Sequence, residues 1–463
     1  MPARTLQLEN PATNEVLQTL AMHDTEQVRD MTANARRAFH DWRWTSIDER
    51  IAITQRFVAE MRKRQEEIAR EITLQMGKPL KQARNEVNTM IDRTNYMAEI
   101  AQATLADEIL PDKPGFMRKI AHEPRGVALD IAAWNYPLLI SINLVVPAIL
   151  AGNAVLLKHS SLTPLCALRM QEAYRAAGLP EGVMQAVVVD REGAETLLTS
   201  PNIDAVFFTG SVPGGYEVYQ KAAAGLKRVG LELGGKDPAY VRADADLATT
   251  IPNVADGAFY NCGQSCCAVE RIYVDQKIYP QFLEAFLAEV KTYKLGDPLV
   301  EETYLGPLAQ KKQMAVLDGQ VQEGVQRGAK VLCGGSATKI NGRGNYFEPT
   351  VLVNVTNDMK VMQEESFGPI IGIVPVAGDE EAVRLMNDSR FGLTASIWSR
   401  DQEAALKLAP HVEAGTVYLN RCDYLDPALP WIGYKESGLG CSLSHHGFME
   451  VTKPKSYHFK IVP

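Results

Sequence analysis

In the first hundred residues, apolar positions recur at helical spacing. Ser46-Ile47-Asp48-Glu49 carries the S-x-x-E pattern of a capping box, and Ile51, Phe57, Val58, Met61, Ile68 and Ile72 follow. The pattern predicts a helix from about residue 46 that Gly77 and Pro79 terminate, then a second over 80–105. Past the turn signal Asp112-Lys113-Pro114-Gly115, the segment 116–131 reads as extended, with a break at Pro124-Arg125-Gly126. Short apolar runs at 154–158, 184–189, 205–208 and 228–233 then alternate with helical segments at 164–177, 193–200 and after Gly214-Gly215. Strands separated by helices of this size indicate βαβ units and a parallel sheet.

After Gly234-Gly235 the alternation starts again. Strands are predicted at 271–274, 330–333, 370–374 and 416–420, with helices near 279–293, 308–326, 379–387 and 401–409. The chain therefore reads as two α/β domains in tandem. The tail 455–462 alternates through Tyr457, Phe459 and Ile461 and reads as a strand available to a partner surface. From Ile131 to Leu157 no residue is charged, long enough for a membrane span. Trp134-Asn135-Tyr136-Pro137, Asn143, Pro147 and Gly152-Asn153 interrupt that stretch, so it reads instead as strand, loop, buried helix and the start of another strand.

Composition adds exclusions. The 463 residues are 46% apolar and 22% charged with a formal net charge of −8, the profile of a folded chain that is not a generic nucleic-acid binder. Seven cysteines with no C-x-x-C pair argue against a disulfide framework and for a reducing, cytoplasmic compartment, and the N-terminus lacks the apolar segment of a signal peptide. His445-His446 lack the i, i+4 spacing of a helical metal pair, and no metal site is expected.

The densest chemistry lies in Tyr260-Asn261-Cys262-Gly263-Gln264-Ser265-Cys266-Cys267, where three thiols fall within six positions. Each is either a buried structural thiol or a nucleophile. The second reading places it after a glycine turn at a helix start, where backbone N–H groups and the helix dipole stabilise a thiolate. A second glycine turn, Gly210-Ser211-Val212-Pro213-Gly214-Gly215, follows the strand at 205–208 in the manner of a pyrophosphate-binding turn.

Together these segments resemble the aldehyde dehydrogenase superfamily over essentially the whole chain. The family's F-x-N-x-G-Q-x-C-x-x-x-x-R signature is met by Phe259 to Cys266 with Arg271, and L-E-L-G-G-K by Leu231 to Lys236. The resemblance implies two Rossmann-like α/β domains plus a small β oligomerisation module. It places a dinucleotide domain at 1–106 and 125–235, a catalytic domain at 236–436, and oligomerisation strands at 107–124 and 444–463 of a homodimer or homotetramer. It selects Cys266 as the nucleophile, Asn135 as an oxyanion donor and Glu232 as the base that activates water on an acyl thioester. It assigns NAD or NADP to Trp134, Lys158, Ser161, Gly210, Ser211, Gly215, Leu233, Glu365 and Phe367. Taken one at a time, Lys158 and Glu365 read as solvated charges and Glu232 as a strand-end carboxylate facing solvent.

The departures are informative. Ser161 stands where NAD-preferring members often carry a glutamate, which admits a 2′-phosphate. Ala133 replaces the usual proline before Trp-Asn, and Gly438-Leu439-Gly440-Cys441-Ser442 replaces G-x-G-R-E. Arg421 and Tyr424 are the substrate-side candidates, Arg421 either as a partner for a substrate carboxylate or as a structural ion-pair partner. The expected reaction is oxidation of an aldehyde to an acid, with succinate semialdehyde as the substrate. The alternatives are a coenzyme-A-acylating relative and a binding protein on the same fold.

Overall fold

The computed structural model describes residues 4–462. In the first α/β unit, five parallel strands lie in the order Met184–Ala186, Ala154–His159, Val127–Ala132, Ala205–Thr209 and Arg228–Glu232. Gly438–Leu439 adds antiparallel to the last of them. Val127–Ala132 is buried at every position, as a strand covered on both faces must be. The chain moves outward from Val127–Ala132 to Met184–Ala186, then crosses back to Ala205–Thr209 on the other side. The strand order thus reverses between Val127–Ala132 and Ala205–Thr209, and open α/β sheets bind ligands at the carboxyl ends of strands beside such a reversal.

The second sheet runs Lys330–Cys333, Thr350–Val353, Ile370–Val376, Val269–Asp275, Asp237–Val241, Thr394–Trp398 and Thr416–Leu419, all parallel except the first. Asp237–Val241 and Thr394–Trp398 had no periodic signature because both are buried throughout. Pro238 enters a central strand at a register shift, which spares it a ladder donor. A third sheet joins Glu108–Ile109, Phe116–Pro124 and Thr452–Lys460, so the expected tail strand is paired within its own chain.

Several expected elements shift. The helix after Ser46 is two helices, Ile47–Lys63 and Gln65–Met76, broken at Arg64 and closed by Gly77 at φ 84°. The glycine pair 214–215 does not precede its helix: Val212–Ala223 starts earlier, with Ser211 as its N-cap. The uncharged stretch contains the buried helix Pro137–Leu150, and no described helix is long and apolar enough to cross a membrane.

Candidate active site

Cys266 lies between a 3₁₀ turn at Tyr260–Gly263 and the strand Val269–Asp275. The expectation of a cysteine at a helix start is therefore corrected. The helix Leu247–Phe259 ends before it, and Gly263 at φ 69° turns the chain away from that helix's carboxyl end, where the dipole opposes a thiolate. Asn261 and Cys262 adopt left-handed φ values of 53° and 60°, unfavourable for residues with a Cβ. A hydrogen-bond network offsets that strain. Asn261 donates from its N–H to Gln82 Oε1 at 3.0 Å, and from Nδ2 to the carbonyls of Asn135 and Gln264 at 3.1 Å each. Gly235 has no Cβ because one would lie 2.4 Å from the Cys266 carbonyl oxygen.

Two cavities meet at this thiol. One, of about 420 Å³, is walled by the helix Leu80–Thr104 and by Tyr136, Asn143, Asp423 and Trp431. The other, of about 280 Å³, is walled by Trp134, Asn135, Leu233, Glu365 and Phe367, with Gly210 and Ser211 at its edge. Among the described residues only Thr209, Glu232 and Cys266 line both. Cys267 lines the larger cavity alone, and Cys262 lines neither. Burial pushes the Cys262 thiol up to about 12, and contact with Cys266 plus burial raise that of Cys267.

Glu232 ends the strand Arg228–Glu232, in register with Thr209 on one side and Gly438 on the other. It does not face bulk solvent. Ser442 Oγ donates to it at 2.5 Å and Thr209 Oγ1 at 3.3 Å. Burial raises its pKa, and the Ser442 bond and the Arg93 charge pull the other way. The Ser442 that departs from G-x-G-R-E is thus bonded to this carboxylate.

Asn135 is 3% exposed and is held by its backbone. Its carbonyl accepts from Lys78 Nζ at 2.8 Å as well as from Asn261, while its side-chain amide at the cavity wall has no hydrogen-bond partner among the described residues. Lys78 is itself ion-paired with Glu86, both side chains fully buried, and Glu86 accepts the Leu138 N–H at 2.9 Å. A second buried pair, Lys236–Glu270 at 2.5 Å, holds the opposite wall: Glu270 accepts the N–H groups of Ser366 and Phe367 at 2.8 and 2.9 Å. The Phe367 ring meets Trp134 edge-on at 5.4 Å.

The solvated-charge readings do not hold. Burial pushes the Glu365 carboxyl up to about 8, and Gly235 N–H donates to it at 3.1 Å; the carboxylate packs against Gly234, where a Cβ would lie 2.4 Å from it and push the side chain aside. Lys158 is half-buried in Ala154–His159, which lowers its pKa. Lys158, Ser161 and Gly215 lie outside the smaller cavity; Ser161 is exposed just past its strand, and Gly215 packs on Leu233. Tyr424 lines the larger cavity, but Arg421 does not. Its exposed guanidinium stacks 3.3 Å over the Tyr424 ring.

The helix Leu80–Thr104 supplies a wall that motif reasoning missed. Glu86 and Arg93 sit on its buried stripe with Ala83, Val87, Met90 and Met97, and charges on an apolar stripe were the available signal.

The Aldehyde dehydrogenase family model matches residues 2–457. This chain belongs to the aldehyde dehydrogenase family. It is 38% identical to the succinate semialdehyde dehydrogenase [NAD(P)+] of Escherichia coli K12 over 95% of both chains. It is 35% identical to a succinate-semialdehyde dehydrogenase [NADP(+)] of Deinococcus radiodurans over 98% of this chain and 94% of that protein. Among solved structures, an NAD-dependent aldehyde dehydrogenase from Sinorhizobium meliloti superposes with a TM-score of 0.96 at 35% identity, covering 99% of this chain and 92% of that one. The dinucleotide-dependent oxidoreductase class and the Rossmann-like fold implied by the motifs are thus correct. In this aldehyde dehydrogenase the smaller cavity suits a nicotinamide riboside: an aromatic pair, a carboxyl able to meet sugar hydroxyls, and an unpartnered amide beside the thiol.

Proposed function

We propose that the enzyme oxidises succinate semialdehyde to succinate with NAD or NADP, by way of an acyl-enzyme on Cys266. The observation that carries the reading is the junction of the two cavities at Cys266 and Glu232, with the free amide of Asn135 beside them. Attack by the Cys266 sulfur on the aldehyde carbon places negative charge on the carbonyl oxygen, which the Asn135 amide is positioned to meet. An oxidised dinucleotide bound in the smaller cavity supplies the hydride acceptor. Trp134, Leu233, Glu365 and Phe367 would hold its nicotinamide end, Gly210, Ser211 and Gly215 its pyrophosphate, and Lys158 and Ser161 its adenosine ribose. Glu232 then takes a proton from the water that cleaves the thioester, and its raised pKa brings it nearer to the working pH of a general base. The names of the relatives support the substrate.

The three-stranded sheet is proposed as the oligomerisation module. Its neighbourhood exposes Ile109, Met117, Phe459 and Ile461, apolar surface suited to a second copy. Seven free cysteines support a cytoplasmic setting.

The test is Glu232→Gln. A pre-steady-state burst of reduced dinucleotide should survive while turnover slows by about 10²-fold or more. Mass spectrometry of the quenched reaction should find the succinyl adduct on Cys266. Unchanged turnover, or an absolute need for coenzyme A, refutes the hydrolytic reading.

A further inference from the structure

The larger cavity is lined by four carboxylates and one guanidinium, and the carboxylates are all engaged. Glu86 holds Lys78 and the Leu138 N–H, Asp256 accepts the Tyr304 hydroxyl, Asp423 accepts Ser265 Oγ at 2.9 Å and Cys267 Sγ at 3.0 Å, and Glu232 accepts Ser442 and Thr209. The guanidinium is that of Arg93, and it is not. Arg93 is 4% exposed, yet among the described residues its one hydrogen bond runs from Nη1 to Asn143 Oδ1 at 2.8 Å. Its Nε is buried without a partner, and among the described residues no carboxylate lies within ion-pair distance of it. Buried guanidinium groups are ordinarily paired, because five donors removed from water need acceptors.

The geometry points to Arg93 as the anchor for the carboxylate of a short ω-carboxylated aldehyde whose carbonyl end reaches Cys266 in the same cavity. The inference rests on the proposed carboxylated substrate and adds the residue that reads it. A planar guanidinium with free donors matches a carboxylate in shape and charge, and in a site shielded from bulk water such bonds are strong. Asn143 fixes the fork from one side without neutralising it, as a carboxylate at that position would. Burial lowers the Arg93 pKa to about 10, so it remains charged at neutral pH. Arg421, the sequence candidate for this task, lies outside the cavity.

The experiment compares kcat/KM for succinate semialdehyde and for butanal, which lacks the carboxylate, in the wild type, Arg93→Met, Arg93→Lys and Asn143→Asp. The ratio of the two values should fall about 10- to 100-fold in Arg93→Met, mostly through KM for the charged substrate. Arg93→Lys should keep an intermediate ratio. Asn143→Asp should lose the preference although Arg93 remains, because the new carboxylate occupies Nη1. An unchanged ratio in Arg93→Met overturns the inference. So does an equal fall for both aldehydes with a shifted acid limb, which would assign Arg93 to the electrostatics of Glu232. Calorimetric titration with succinate separates the two levels of the reading. If neither aldehyde is oxidised but succinate binding depends on Arg93, the proposed function fails and the anchor stands. If the wild type binds no succinate, or Arg93→Met binds it equally well, the anchor is refuted.

Discussion

Replacing Lys78 by Met tests how the loop that carries Asn135, the proposed oxyanion donor, is held. Lys78 makes three contacts there: the ion pair with Glu86, the 2.8 Å bond to the Asn135 carbonyl, and an approach of 3.8 Å to the centre of the Tyr136 ring. Both members of the pair are fully buried. Lys78→Met strands the Glu86 carboxylate with the Leu138 N–H as its remaining partner, a loss of about 3–5 kcal/mol for breaking a buried pair on one side. The double variant Lys78→Met/Glu86→Leu removes both charges. It leaves only the Leu138 N–H without its acceptor, because Asn261 still bonds the Asn135 carbonyl, so its cost should shrink to about 1–3 kcal/mol. Activity should behave differently. With the Lys78 anchor gone, the Asn135 amide is misplaced in both variants, and kcat should fall by about 10²-fold in each, the scale of a lost oxyanion donor. Adding Asn135→Ala to Lys78→Met should then cost little more, since the two act as one unit. Thermal unfolding gives the stability half, and burst-phase kinetics with a saturating aldehyde give the catalytic half. If the double variant regains both stability and kcat, the pair only stabilises the fold and the positioning argument is wrong.

Three further outcomes follow from the same arrangement of side chains. Ser442→Ala removes a hydrogen bond that holds the Glu232 pKa down, so the acidic limb of the kcat profile should move to higher pH; an unmoved limb would show that Glu232 does not set it. His159 donates from Nε2 to the Pro137 carbonyl at 2.9 Å and accepts from Thr163 Oγ1 at 3.0 Å, and burial lowers its pKa to about 4. The unfolded chain therefore binds a proton between pH 6.5 and 4 that the folded chain refuses. Stability of about 3 kcal/mol, present above pH 6.5, should be lost across that window, and His159→Asn should flatten the pH dependence of the melting temperature there. Brief treatment with iodoacetamide should label Cys266 ahead of Cys262 and Cys267, read by peptide mapping, because it alone opens on both cavities; equal labelling of the three would contradict the arrangement.

Much of this was legible in the chain. The turns at Gly77 and at Pro124-Arg125-Gly126, the alternation of strand and helix, and the two signatures around Glu232 and Cys266 are local patterns. Each depends on residues close in sequence. Strands buried on both faces, such as Asp237–Val241, left no period to detect. The wall at Leu80–Thr104 escaped because helical periodicity reports which face is buried but not what it is buried against. Glu86 and Arg93 could be placed on the stripe from sequence, but their partners Lys78 and Asn143 lie 8 and 50 residues away, so the pairing could not be deduced.

By itself, the sequence determined the class of fold and pointed to the candidate reactive groups, since both are written in short-range spacing and residue chemistry. The tertiary structure decided which thiol opens on two cavities, which carboxylates are neutralised, and which arginine is left with free donors. Those properties depend on burial and on neighbours brought together by sheet order, and no window along the chain contains them.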